Sequence, residues 1–188
     1  MKEKTTAIVL AAGQGKRMNS KVQKQFLKIQ GHPVLYYSLK CFERSPLIQN
    51  IIVVTGKDMI SYCEKEIIEH YGFIKVTAVI AGGKERYDSV YKGLLACKDC
   101  EYVFIHDGAR PFITEEILER GMFGVRETGA CVVGMPSKDT VKVSDETDFV
   151  RETPDRKRVW TIQTPQIFAY DLIKKAPESI RQKDMTSI

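Results

Sequence analysis

Ala7-Ile8-Val9-Leu10-Ala11-Ala12 runs without a polar interruption into Gly13-Gln14-Gly15-Lys16-Arg17-Met18. An apolar run of this length, closed by glycine, reads as a strand buried on both faces. The glycines and cations behind it read as a loop around an anion. A backbone without Cβ can turn its N–H groups inward while Lys and Arg neutralise the remaining charge. Working outward, Ile51 to Thr55, Val76 to Ile80, Tyr102 to His106 and Cys131 to Met135 are further apolar runs, separated by helical patterns. Such alternation predicts a parallel sheet covered by helices on both faces. Ile60, Cys63, Ile67, Ile68 and Tyr71 give one helix an apolar face, with Glu64, Lys65 and Glu69 on the solvated side. Pro33 is placed in the first turn of another helix running to about Arg44.

In a sheet of this kind a ligand binds beyond the carboxyl ends of the strands. Three unusual loops fall there: Gly13 to Lys24, Ala81 to Ser89, and His106 to Pro111. The first loop excludes two familiar phosphate binders. A dinucleotide fingerprint needs a small residue where Met18 stands, and a P-loop needs glycine at Leu10 and Ser or Thr at Arg17. The second loop sets Gly82 and Gly83 before a helix whose N-terminus carries Arg86 and Ser89; it serves either a flat ring and a phosphate or a plain helix start with glycine at the cap. The third ends an apolar strand in Asp107, for which a metal ligand and an Asp107–Arg110 ion pair are both open. His106 reads as a strand-end residue with a structural hydrogen bond, and His32 and His70 as surface positions.

Lys and Arg exceed Asp and Glu by 29 to 24, too small an excess to coat a nucleic-acid backbone, so a small anionic ligand is expected and nucleic acid is not. The chain shows neither a membrane-length apolar stretch nor a signal peptide, which makes the expected location cytoplasmic without a membrane partner. Five cysteines without a secretory signal argue for free thiols, and Cys97-Lys98-Asp99-Cys100 has no second half to complete a zinc site. One domain is expected over residues 1–188. Within it, 137–158 departs from the pattern: Val141 and Val143 alternate with Lys142, and Asp145 to Asp148 can turn before Phe149 and Val150. A β-hairpin arm and a solvated loop both suit this stretch; an arm so polar would lean on another subunit.

Ala11-Ala12-Gly13 through Arg17, Lys24-Gln25-Phe26, Gly82-Gly83 with Glu85-Arg86 and Ser89-Val90, His106-Asp107-Gly108-Ala109-Arg110-Pro111, Asp139-Thr140 and Gln163-Thr164-Pro165-Gln166 together resemble the 2-C-methyl-D-erythritol 4-phosphate cytidylyltransferase family. The resemblance implies an α/β, Rossmann-like nucleotidyltransferase fold: a mostly parallel sheet, helices on both faces and a protruding β-arm. It implies transfer of CMP from CTP to 2-C-methyl-D-erythritol 4-phosphate, with pyrophosphate released. By the same resemblance Arg17 and Lys24 are catalytic, and Ala12, Gly13, Gly15, Gly83, Arg86 and Ser89 bind the nucleotide. Asp107 holds Mg²⁺, while Arg110, Thr140, Arg156 and Thr164 bind the acceptor phosphate. In the family the arm bearing Thr140 and Arg156 reaches into a neighbouring subunit, so a homodimer is expected. Members run on for a few dozen residues beyond the position matching Ile188, which implies a truncated C-terminal end and an open sheet edge. A ribitol 5-phosphate cytidylyltransferase, or a shortened nucleotide-binding protein of weak activity, are the alternatives.

Overall fold

The structure, a computed structural model, describes residues 3–13 and 22–182 and, for 177–182, the backbone alone. Gly15 and Arg17, together with Gln14, Lys16 and Met18, lie outside the described residues. Five strands follow the expected apolar runs: β1 (Thr5–Ala11), β4 (Asn50–Thr55), β5 (Val76–Ala81), β6 (Tyr102–Asp107) and β7 (Ala130–Pro136). The shorter β2 (Lys28–Ile29) and β3 (His32–Pro33) pair with each other outside the main sheet. β1 pairs in parallel with β4 on one side and β6 on the other, and β5 extends the sheet beyond β4.

Period-two alternation in β1 divides the core. Ala7, Val9 and Ala11 join a cluster with Leu35, Leu39 and Phe42 of α1 (Val34–Arg44) and Leu118, Met122 and Val125 of α4 (Glu115–Thr128). Ile8 points the other way, to Leu94 of α3 (Arg86–Ala96), with Ile173 of α5 (Tyr170–Gln182) beside it. The sheet is therefore covered on both faces, as the buried runs require.

One strand departs from the reading of the sequence. β10 (Trp160–Ala169) enters the sheet antiparallel between β6 and β7, so the order is β5-β4-β1-β6-β10-β7 and β7 does not pair with β6. Its register slips between Ile162 and Gln166, and this bulge spans Gln163, Thr164 and Pro165, the last following a cis peptide bond. Two smaller corrections concern helices. α1 begins at Val34, with Pro33 as its N-cap in extended conformation, and not with Pro33 inside the first turn. The helix expected around Ile60 to Tyr71 starts as α2 (Ile60–Tyr62) and continues as a π-helical stretch over Cys63–Glu69, with Cys63 and Ile67 buried. His32 is half-buried rather than freely exposed: its ring stacks on Tyr36 at 4.3 Å and meets Tyr71 edge-on, and its Nδ1 is buried with no hydrogen-bond partner.

Of the two readings of 137–158, the hairpin is present over its middle, β8 (Val143–Ser144) with β9 (Val150–Glu152), and the segment is almost wholly exposed. Asp145 makes its turn by accepting from the Thr147 and Phe149 N–H groups at 2.9 and 3.1 Å. All five cysteines are free thiols. Among the described residues, no helix is long and apolar enough to cross a membrane.

Candidate functional site

The chain leaves β1 by way of α1 toward β4, and later crosses back to place β6 on the opposite side of β1. The gap between the carboxyl ends of β1 and β6 is thus a topological switch point, the place where sheets of this class bind ligands. Ala12 and Gly13 leave β1 there, and Asp107 ends β6.

Asp107 is the centre of a charged cluster. Its Oδ1 accepts from Nε and a terminal nitrogen of Arg86, both at 3.2 Å, and its Oδ2 accepts from Nε of Arg110 at 3.1 Å. Arg86 also donates to Oε1 of Gln166 at 3.1 Å, and Arg110 to Oε1 of Gln163. Both arginines stay about half exposed, so their cationic faces remain open to an incoming anion. The Asp107–Arg110 pair weighed from the sequence is present; the second guanidinium, from Arg86 on the far side of a crossover, was not foreseen.

Beneath this cluster His106 is 1% exposed and joins three of its parts. Its Nε2 lies 3.1 Å from the Arg110 carbonyl, which can only accept, so that nitrogen carries the proton. Nδ1 then accepts the Thr164 hydroxyl at 3.0 Å, while the same hydroxyl oxygen accepts the Asp107 N–H at 3.2 Å. Burial pushes His106 down from 6.5 to about 4, against smaller opposing contributions from the Arg110 carbonyl and the Asp107 charge. The ring is neutral and structural, as its position at the strand end suggested.

The second wall is the turn after β5. Gly82 N–H donates to the Thr55 carbonyl at 2.8 Å, and Gly83 N–H to the Ser89 hydroxyl at 3.0 Å. A side chain at Gly82 would put Cβ 2.7 Å from Cβ of Ala12 and 2.8 Å from Oγ of Ser89, so glycine is what lets this turn close on the end of β1. Ser89 is buried and donates on to the Glu85 carbonyl at 3.2 Å, which gives it the work of shaping the turn. The cap of α3 is Glu85, in a reciprocal box with Asp88, rather than a glycine.

Lys24 stands exposed on a 3₁₀ turn over Lys24–Phe26, whose other two residues are buried. Thr140 and Arg156 lie on the exposed arm, where Arg156 bonds the Lys138 carbonyl at 3.2 Å. Within one chain the fold gathers Ala12, Gly83 and Ser89 in one wall, and Arg86, Asp107, Arg110 and Thr164 in the cluster; the hydrogen bonds described here do not join Thr140 or Arg156 to either. Gln163 and Gln166 are site residues that the sequence did not single out; their spacing about Pro165, between Ile162 and Ile167, was the available signal. A groove of about 970 Å³ adjoins the cluster, lined by Arg110, Gln163 and Thr164 and by the apolar Val132, Met135 and Trp160.

The family profile of 2-C-methyl-D-erythritol 4-phosphate cytidylyltransferase (IspD) matches residues 5–187. The chain belongs to this family. A family member from Lachnoclostridium phytofermentans is 54% identical over 178 residues, 95% of this chain and 76% of that protein. One from Lachnospira eligens is 51% identical over 171 residues, 91% of this chain and 75% of that protein. Among solved structures, the 4-diphosphocytidyl-2C-methyl-D-erythritol synthase of Anaerococcus prevotii superposes with a TM-score of 0.85 at 33% identity, covering 98% of this chain and 78% of that one. The fold is therefore the family's, a mostly parallel nucleotidyltransferase sheet with β10 as its antiparallel member.

Proposed function

We propose that this protein transfers the cytidylyl group of CTP to the phosphate of 2-C-methyl-D-erythritol 4-phosphate and releases pyrophosphate. Family membership supports the reaction, and one observation carries it to these residues: two guanidinium groups, Arg86 and Arg110, meet on Asp107 at the switch point beside the Gly82–Gly83 turn.

The acceptor monoester is largely a dianion at pH 7, because its second pKa is about 6. Its oxygen attacks the α-phosphorus in line, the bond to the bridging oxygen breaks, and pyrophosphate leaves with the electron pair. No base is required, and the obstacle is the repulsion between two polyanions. Lys24 and Arg86 meet the triphosphate, and Arg110 the acceptor phosphate, with the glutamines fixing both guanidinium planes. Arg17, outside the described residues, joins Lys24 on the triphosphate. Ala12, Gly13, Gly15 and Gly83 supply backbone around the nucleotide, and Ser89 holds that backbone in place.

Among the described residues no group of three or more His, Cys, Asp or Glu gathers to hold a metal. A Mg²⁺ ion keeps several waters and takes one or two carboxylates plus substrate phosphates, so the lone, partly exposed Asp107 fits it. Asp107 would hold the ion, which would neutralise phosphate charge, and Arg86 and Arg110 beside it would meet the phosphates.

A homodimer completes the reading. Val143, Phe149 and Val150 on the arm and Val132, Trp160 and Ile162 beside the groove are exposed apolar side chains that a second copy would cover. Thr140 and Arg156 would then reach the partner's acceptor phosphate.

The test is pyrophosphate release with CTP and Mg²⁺, compared across methylerythritol phosphate, ribitol 5-phosphate and no acceptor. Release with the first alone supports the assignment, a preference for ribitol phosphate replaces the acceptor, and silence with both refutes transfer.

A further inference from the structure

Gln25 is 1% exposed, and its amide nitrogen faces backbone oxygens of the nucleotide loop. Nε2 lies 2.6 Å from the carbonyl of Ala11, the last residue of β1, and 3.0 Å from that of Gly13; the Gln23 side-chain oxygen lies 2.7 Å away. A buried amide with this many acceptors is a brace, since two hydrogens are shared among groups from two segments. Gln25 belongs to the turn that carries Lys24. That turn is closed by Phe26 N–H to the Gln23 carbonyl at 2.9 Å and anchored by the Phe26 ring, edge-on to Tyr62 at 5.3 Å. With Gln25 and Phe26 both buried, the turn has one orientation, and Lys24 faces outward.

The direction of the Ala11 carbonyl decides what the next peptide offers. Along β1 the Leu10 carbonyl points to the β6 side, where it accepts Gly108 N–H at 2.8 Å. The Ala11 carbonyl points to the β4 side, toward Gln25 and, at 3.5 Å, the Thr55 hydroxyl. Because C=O and N–H of a trans peptide are opposed, the Ala12 N–H is turned toward β6 and Asp107.

We propose that Gln25 is a positioning residue for the nucleotide: it locks the backbone that leaves β1 and the Lys24 turn into one unit, so that the Ala12 amide and the Lys24 ammonium meet the triphosphate together. The inference rests on the CTP-dependent reading above.

Two variants test it. Gln25→Glu keeps the shape but sets a carboxylate oxygen against two carbonyls, and Gln25→Met removes the donor at similar volume without adding charge. Expected are a rise of at least tenfold in KM for CTP in both, a KM for methylerythritol phosphate within twofold of wild type, and a matching loss of CTP affinity by calorimetry. A role confined to stability would lower the melting temperature and the active fraction and leave KM and Kd for CTP unchanged, which would overturn the proposal. Should Gln25→Glu not fold, Gln25→Met decides alone. Calorimetry separates the two readings: if wild type binds CTP but transfers to no acceptor, the transfer reading falls, while the Gln25 proposal stands or falls on the change in Kd.

Discussion

Lowering the pH should destabilise this protein through His106, and by an amount that can be worked out. In the folded protein the buried ring gains a proton only near pH 4, whereas in the unfolded chain it does so near 6.5. Between those values the unfolded state binds a proton that the folded state refuses. Stability from this residue is therefore complete above pH 6.5 and is lost as the pH falls through the window toward 4. The full window corresponds to about 3 kcal/mol, and a measurement at pH 4.5 captures roughly 2.5 kcal/mol of it. That is a large part of the roughly 5–15 kcal/mol that holds a domain together.

The assay is urea unfolding followed by far-ultraviolet circular dichroism, at pH 7.5 and 4.5, in chelator, for wild type and His106→Gln. Glutamine does not titrate, yet its amide can still donate toward the Arg110 carbonyl. Carboxylates such as Glu3, held low by its bond to Arg126, act alike in both proteins and cancel in the comparison. With a urea dependence of about 2 kcal/mol per molar, wild type should lose roughly 1 M more in midpoint than the variant between the two pH values. Equal losses in the two proteins, within about 0.2 M, would refute the assignment of a buried, neutral His106.

Three further outcomes are expected. Lys24→Ala, and equally Arg17→Ala, should lower turnover at least about a hundredfold with an unchanged melting curve, because one preorganised donor to the transition state is worth about 3 kcal/mol. Gly93→Ala should cost about 1–2 kcal/mol and lower the melting temperature by a few degrees, since its Cβ would lie 2.6 Å from Cγ2 of the buried Ile8 and better helix propensity offsets only part of the clash. Phe149→Asp, at a position 74% exposed on the arm, should shift sedimentation toward a monomer without changing the unfolding enthalpy of the isolated fold.

The parts of the fold that sequence made legible are those where one physical signal dominates. β1, β4 and β6 are buried along most of their length and β5, at the sheet edge, is half-buried over most of its length, so their residues are largely apolar, and glycine just after β1 and after β5 marks where the chain turns out of the sheet. β10 carries no such signal. Its first half is exposed, and its bulge holds Gln163, Thr164 and Pro165, residues that belong to loops as often as to strands. The pairing of Arg86 with Asp107 was hidden for another reason: the two are brought together by the crossover from β5 through α3 to β6, whereas Arg110 lies only three residues beyond Asp107. Likewise Thr164 and His106, 58 residues apart, meet because β10 lies against β6. His32 was read as a surface position because that is the common case for histidine; Tyr36 and Tyr37, four and five residues on in the first turn of α1, were the hint of an aromatic cluster.

The charged cluster is better explained by preorganisation than by stability. Ion pairs at 3.1–3.2 Å between half-exposed groups contribute little to folding, about 0–1 kcal/mol each, and salt screens them. Each guanidinium, however, has a second anchor that bears no charge: Gln166 for Arg86 and Gln163 for Arg110. Were Asp107 to take a cation and release an arginine, the glutamine would still hold that plane near its present orientation, and less side-chain entropy would be lost as phosphate arrived. Both glutamines come from β10, one within its bulge and one at the bulge's edge. The antiparallel strand that the sequence concealed thus supplies the neutral anchor of each arginine at the rim of a parallel sheet.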